Sequence, residues 1–167
     1  YNFQEIKDEL SEFGRVFSTQ SDTEVIIQAF DQWGHDAVRR FTGMYAFVLY
    51  NKATKRIFFY RDRAGVKPLY YYFDHGLMLF SSELKAFQFL QYGYILAPDT
   101  IFERTHKLKP GHFLDFDLNN FTFSEHQYWN VSDYYNKPKL AIHEKEAKQE
   151  TEQILTSACN YRMIADV

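Results

Sequence analysis

Met44-Tyr45-Ala46-Phe47-Val48-Leu49-Tyr50, Arg56-Ile57-Phe58-Phe59-Tyr60-Arg61, Leu69-Tyr70-Tyr71-Tyr72-Phe73 and Leu77-Met78-Leu79-Phe80-Ser81 are four short aromatic runs in close succession. Apolar residues run almost unbroken through each, without the polar face of an amphipathic helix, and Phe and Tyr pack well on a pleated surface. They read as β-strands. The first has no polar side and is expected to be buried on both faces. Asn51 to Lys55 forms the turn after it, and Asp74-His75-Gly76 joins the last two runs as a hairpin. Antiparallel pairing follows from connections this short.

Working outward, Ser82 is placed to cap a helix through Glu83, Leu84, Phe87 and Leu90, and His112 to Asp117 and Phe121 to Tyr128 flank Leu118-Asn119-Asn120 as a further hairpin. Before the strands, Phe3, Ile6, Leu10 and Phe13 recur at helical spacing, with Asn2 as N-cap, Glu5 three residues on and Gly14 as the stop. Arg15 to Ser18 is a short strand candidate. Ser21-Asp22-Thr23-Glu24 fits a capping box that opens a second helix, with Val25, Ile26, Ala29, Phe30 and Trp33 on one face and Asp22 in the first turn. From Asn130 to Lys139 the apolar pattern dissolves, which suggests a surface connection and a boundary. Ile142 to Ile164 is helix-forming, with Ala147, Ile154, Leu155, Ala158 and Cys159 as its apolar face. The order of elements predicts an α+β domain with a mainly antiparallel sheet.

Composition narrows the function classes. The chain has 167 residues and a net charge of −3, from 19 Lys and Arg against 22 Asp and Glu. Without a basic block to neutralise a row of phosphates, no nucleic-acid partner is expected. The longest strongly apolar run, Met44 to Tyr50, is far short of the roughly 20 residues a membrane-spanning helix needs, so no membrane is expected either. One cysteine, Cys159, forms no internal disulfide and fits a reducing, cytoplasmic setting. Tyr1 stands where an initiator Met would, and Asp166-Val167 follows directly on a helix-like run, so both ends are expected to be internal to a longer protein.

Signals of chemistry are sparse. No Gly-rich phosphate loop, Cys pair or metal-spaced histidine pair occurs, and His35, His75, His106, His112, His126 and His143 are scattered, so metal binding is not expected. Asp22 could offer its oxygens to a bound ammonium group, or could only complement the helix dipole. Arg61-Asp62-Arg63-Ala64-Gly65-Val66-Lys67-Pro68-Leu69-Tyr70 reads as a salt-bridged turn or as a loop that shapes a site. Cys159 lies beside Ala158 on the apolar side of its helix and reads as structural rather than nucleophilic.

Six strings then occur in order: Tyr1-Asn2, Ser21-Asp22-Thr23-Glu24-Val25, Gly43-Met44-Tyr45-Ala46-Phe47, Tyr60 to Tyr71 (YRDRAGVKPLYY), Phe80-Ser81-Ser82-Glu83-Leu84-Lys85-Ala86 and Leu108-Lys109-Pro110-Gly111. Together they resemble the glutamine-hydrolysing asparagine synthetases, over essentially the whole chain. The resemblance implies an N-terminal-nucleophile fold, a four-layer αββα sandwich with antiparallel sheets, here incomplete. It implies residues 1–130 as glutaminase domain, 131–141 as linker and 142–167 as the first helix of an ATP-dependent synthetase domain.

In that family an N-terminal cysteine attacks glutamine with its own α-amino group as base, and an Asn-Gly pair stabilises the oxyanion. Both lie upstream of the residues that Tyr1-Asn2 resemble, as does the arginine that holds the glutamine carboxylate. Asp22 matches the family's aspartate for the α-amino group of glutamine and is the one site residue assigned. The segment Tyr161 to Val167 resembles the stretch just before the pyrophosphate loop. The parent is thus expected to convert aspartate, glutamine and ATP to asparagine, glutamate, AMP and pyrophosphate, with Mg²⁺ accompanying ATP and with a homodimer as its assembly. These 167 residues alone are expected to bind no cofactor and to be inactive. Two other readings stay open: a related amidotransferase acting on a polysaccharide or antibiotic precursor, and a non-catalytic glutamine-binding module.

Overall fold

The computed structural model describes residues 1–83 and 104–163. They divide into two units, residues 1–43 with 132–163, and residues 44–83 with 104–131.

The aromatic runs build the second unit as two antiparallel sheets. β1 (Ala46–Asn51), β2 (Arg56–Arg61), β6 (His112–Asp117) and β7 (Thr122–Gln127) form one in that order, and β4 (Leu77–Ser81), β3 (Tyr70–Asp74) and β5 (Thr105–Lys107) form the other. Alternation along each strand sends one row inward. Phe59, Leu114 and Phe116 of the first sheet meet Tyr71 of the second, together with Leu69 just before β3 and Leu108 just after β5, in a single core cluster. Edge-on ring contacts stitch the two sheets together, with centroids 5.2 Å apart for Phe59 and Phe80 and 5.4 Å for Phe73 and Phe116. On the opposite face of the larger sheet, the register aligns Phe47, Tyr60, Phe113 and His126 across all four strands. These rings stack in sequence at 5.1, 5.1 and 4.9 Å.

This corrects the expectation for Met44 to Tyr50. The strand begins at Ala46, is half-buried, and leaves Tyr50 exposed, because among the described residues it has a strand partner on one side only. Burial on both faces belongs instead to β2, where Phe58 to Arg61 are all buried, and to its neighbour β6, where Leu114 to Phe116 are. β2 lies between β1 and β6, and its polar Arg56 is neutralised by a bidentate pair with Asp115 of β6, Nε to Oδ1 at 2.9 Å. The β3–β4 hairpin is as read. Asp74 pairs with Leu77, so the loop is His75-Gly76, both at positive φ, +46° and +80°, as a tight I′-type turn demands. The β6–β7 connection is longer, four residues from Leu118 to Phe121, since Asp117 pairs with Thr122.

In the first unit α1 (Phe3–Glu12) buries Ile6 and Leu10, and α2 (Asp22–Trp33) buries Val25 and Ala29. A 3-10 turn (Gly34–Asp36) and α3 (Ala37–Arg40) follow. The stop at Gly14 is a Schellman motif: Gly14 N–H donates to Ser11 O and Arg15 N–H to Leu10 O, at 2.9 and 3.1 Å. Arg15 to Ser18 is a loop and not a strand. Asn2 does not cap α1 with its side chain. It clamps the 40–42 segment instead, its Nδ2 donating to Arg40 O at 3.0 Å while its Oδ1 accepts from Thr42 N–H at 2.8 Å.

Ser132–Tyr135 coils into a short α4 within the expected connection, and α5 is Glu144–Met163. α5 buries no side chain; Ile154 and Leu155 are 67% and 60% exposed, and Cys159, expected on a packed face, is exposed. The helix expected after Ser82, through Leu84, Phe87 and Leu90, lies outside the described residues.

Gly111, at φ +67°, ties strand ends together: its N–H donates to Asp62 O at 3.1 Å, and its carbonyl accepts from Tyr128 N–H at 2.9 Å. A Cβ there would stand 2.5 Å from Trp129 O. Replacing Gly111 with Ala should therefore lower the unfolding free energy by about 2–4 kcal/mol, from left-handed strain plus overpacking. Urea unfolding of the full-length protein measures it, and a loss below about 1 kcal/mol would mean that the crossing relaxes freely.

Candidate functional site

Asp22 is the first residue of α2, and the chain reaches it through a loop with its own internal frame. Ser21 is the N-cap, with extended backbone, and its side chain accepts from Thr23 N–H at 3.2 Å. The second half of the expected capping box takes a different partner. Glu24 does not return to the Ser21 N–H; its Oε1 accepts from Ser18 N–H at 2.9 Å and its Oε2 from Thr19 N–H and Thr19 Oγ1 at 2.7 and 2.6 Å. Thr19 Oγ1 takes over the Ser21 N–H, accepting it at 3.2 Å. Those donors hold the Glu24 carboxyl below its ordinary value, with the Ser18 N–H the largest cause and Thr19 next. From the other side, Lys7 Nζ donates to Thr19 O at 3.2 Å and Gln20 Oε1 at 2.9 Å, and lies 5.2 Å from the Phe17 ring centroid.

The Asp22 carboxylate is exposed, and among the described residues it meets one donor, Thr23 Oγ1 at 3.4 Å. An ionised carboxylate has lone pairs for about four hydrogen bonds, so most of its accepting capacity is available to a cationic ligand.

The Arg61–Pro68 cluster has a different use. Arg61 and Asp62 are 4% and 1% exposed, and both are satisfied by backbone. The Arg61 guanidinium donates to the carbonyls of Lys67, at 2.8 Å, Leu108 and Gly65. The Asp62 carboxylate accepts from Val66 N–H at 3.0 Å and Lys67 N–H at 2.9 Å. Above them, Tyr128 Oη donates to Arg61 O at 2.6 Å, which commits its single proton, so Tyr45 Oη donates to Tyr128 Oη at 3.0 Å. Burial pushes the Tyr128 hydroxyl up to about 12 and the Tyr45 hydroxyl higher still, and pulls the Arg61 guanidinium down. The cluster forms a turn in which the Arg61 and Asp62 side chains are bound by backbone carbonyls and N–H groups.

Asp22 belongs to the first unit and the Arg61–Pro68 turn to the second. Among the described residues no three His, Cys, Asp or Glu side chains converge to hold a metal ion, and no helix is long and apolar enough to cross a membrane. Sequence reasoning missed the roles of Lys7, Thr19 and Tyr128. For Glu24 the signal was present, an acid three residues after a Ser N-cap, but its target lies in the loop before the cap.

A family profile for the glutamine amidotransferase domain matches residues 1–129. Among curated proteins, one of Methanocaldococcus jannaschii, provisionally named glutamine-hydrolysing asparagine synthetase 2, is 35% identical over all of this chain and 35% of its own length. Glutamine-hydrolysing asparagine synthetase 3 of Bacillus subtilis is 30% identical over 78% of this chain and 24% of its own length. The chain thus spans about a third or less of these relatives. Among solved structures, the glutamine phosphoribosylpyrophosphate amidotransferase of B. subtilis, complexed with ADP and GMP, superposes with a TM-score of 0.57 at 23% identity, over 77% of this chain and 27% of that one. This last likeness carries the fold, that of the N-terminal-nucleophile hydrolases.

Because Glu24 titrates below its ordinary value of 4.5, its clamp contributes stability that is complete above that value and is lost as pH falls through the lowered one. Amide exchange at Ser18 and Thr19 should stay protected at pH 4.5 and rise only under more acid conditions; loss of protection already near pH 5 would contradict the clamp. Arg61→Lys keeps the charge but loses the planar fork, orphaning buried carbonyls. It should cost about 2–4 kcal/mol in denaturant unfolding, whereas a change under about 1 kcal/mol would show that the carbonyls find other donors.

Proposed function

The chain belongs to the glutamine amidotransferase family, and on that premise we propose that it is the glutamine-handling part of a glutamine-dependent asparagine synthetase. The observation that carries this reading is the Asp22 turn: within a matched amidotransferase domain it offers an exposed carboxylate at the start of α2. Glutamine brings an α-ammonium group, and Asp22 binds it through a charge-assisted hydrogen bond. Held there, the substrate keeps one orientation while its side-chain amide is hydrolysed to glutamate and ammonia. Ammonia then amidates aspartate activated by ATP, giving asparagine.

Each side chain of this chain acts by binding or orienting. Nucleophilic attack and oxyanion stabilisation are assigned to no residue among the 167. ATP and its Mg²⁺ are likewise assigned to no residue here. α5 is read as the first helix of the synthetase domain, its unpacked apolar positions Ile154 and Leu155 facing that domain. The setting is the cytoplasm, and the substrates are glutamine, aspartate and ATP.

Asp22→Asn in the full-length enzyme tests the assignment. Loss of a charged partner at an ammonium contact amounts to about 1.5–3 kcal/mol, or roughly 10- to 150-fold in glutamine KM. Asparagine formation from free ammonia bypasses the glutamine pocket and should fall far less. Equal losses with both nitrogen donors would show that Asp22 serves only the helix start.

A further inference from the structure

We infer that Glu24 is a positioning residue for Asp22, with Lys7 as its counterpart on the far side of the loop, so that the glutamine site is set by two acids with separate duties. This inference rests on the assignment of Asp22 to the α-ammonium of glutamine.

The two carboxylates are two residues apart on α2, which turns them to opposite sides of the helix. They have divided the available donors unequally. Glu24 takes three, the N–H groups of Ser18 and Thr19 and the Thr19 hydroxyl, all within 2.9 Å. Asp22 takes one weak contact from its neighbour Thr23. A cation arriving at this turn therefore finds one acid already saturated and one with open lone pairs. The selection is made by hydrogen bonding.

The bonds of Glu24 also reach Asp22 mechanically. Thr19 Oγ1 donates to Glu24 and accepts from Ser21 N–H, and Ser21 in turn caps the helix at Thr23 N–H. A continuous chain of hydrogen bonds thus runs from Glu24 through Thr19 and Ser21 to the peptide that bears Asp22. Without it, Ser21 keeps its side-chain cap but its own N–H loses its partner, and the entry to the helix can rotate. Lys7 closes the other side: by holding Thr19 O and Gln20 Oε1 it ties the loop to α1. The groups that face Glu24 are Ser18, Thr19 and Lys7, and each favours its ionised form. The clamp is accordingly set throughout the neutral range, as a permanent support rather than a switch. Because the loop sets where the Asp22 carboxylate stands, it acts on the affinity for a substrate it never touches.

The test is a double-mutant cycle in the full-length enzyme, reading KM and kcat for glutamine together with amide exchange at Thr19. Glu24→Gln should raise glutamine KM about ten-fold, change kcat little, and expose the Thr19 amide to exchange. Lys7→Met should shift KM in the same direction by less. If Glu24 acts through Asp22, the Asp22→Asn, Glu24→Gln double variant should bind glutamine no worse than Asp22→Asn alone. Three results would overturn the inference: Glu24→Gln leaves KM unchanged while Asp22→Asn raises it; the two effects multiply in the double variant; or Glu24→Gln lowers kcat and thermal stability together without moving KM. A distinct result, Asp22→Asn with unaltered glutamine KM, would remove the underlying assignment and the inference with it.

Discussion

A buried arginine and a buried aspartate stand side by side at the end of β2, and the architecture of the second unit depends on how they are satisfied. Arg61 and Asp62 turn away from each other toward backbone groups, three carbonyls for the guanidinium and two N–H groups for the carboxylate. Burying charge costs several kcal/mol per ion unless every donor and acceptor is met. Here the partners are supplied by the adjoining 65–67 turn and by two segments distant in sequence, the 108–111 loop and, through Arg61 O, Tyr128. The polar requirement of two residues thereby fixes where β2, β3, β6 and β7 begin and end. The apolar core adjoins them, since Leu69 and Leu108, joined by a backbone hydrogen bond, lie beside the same turn and belong to one cluster with Phe59 and Phe116.

The turn that carries Asp22 uses the same chemistry at the surface with different consequences. Glu24 is only partly buried, so its hydrogen bonds offset a smaller desolvation cost, and each contributes less to stability than a fully buried counterpart. Their effect is conformational: they order a loop that has little apolar anchoring of its own, with Val16 and Phe13 exposed. A binding carboxylate must stay solvated until its ligand arrives, which excludes burial as a means of holding it. Hydrogen bonding from a second acid answers both needs.

Much of this was legible in the sequence. The four aromatic runs announced an antiparallel sheet system, and His75-Gly76 announced its tightest turn. What escaped was the assignment of burial between neighbouring strands. Met44 to Tyr50 looks fully apolar and is half-exposed, whereas β2, bounded by Arg56 and Arg61, is buried on both faces; periodicity records residue type and not a strand's place in the sheet. Asn2 and Glu24 failed as caps for a related reason. Local spacing shows which backbone donors are nearest, but the 40–42 segment and the 18–19 loop offered better ones. The Arg15 to Ser18 strand was too short for periodicity to decide. Asp22 was visible as a first-turn acid, and only the resemblance to asparagine synthetases pointed to glutamine.

The central claim is that Asp22, held by the 18–21 loop, receives the α-ammonium of glutamine. A crystal structure of the full-length enzyme with a non-hydrolysable glutamine analogue tests this most directly. The account predicts the ligand's ammonium nitrogen within about 3.2 Å of an Asp22 carboxylate oxygen, with Glu24 still bound to Ser18 and Thr19. An analogue whose ammonium is held by another acid, with Asp22 left facing solvent, would contradict it.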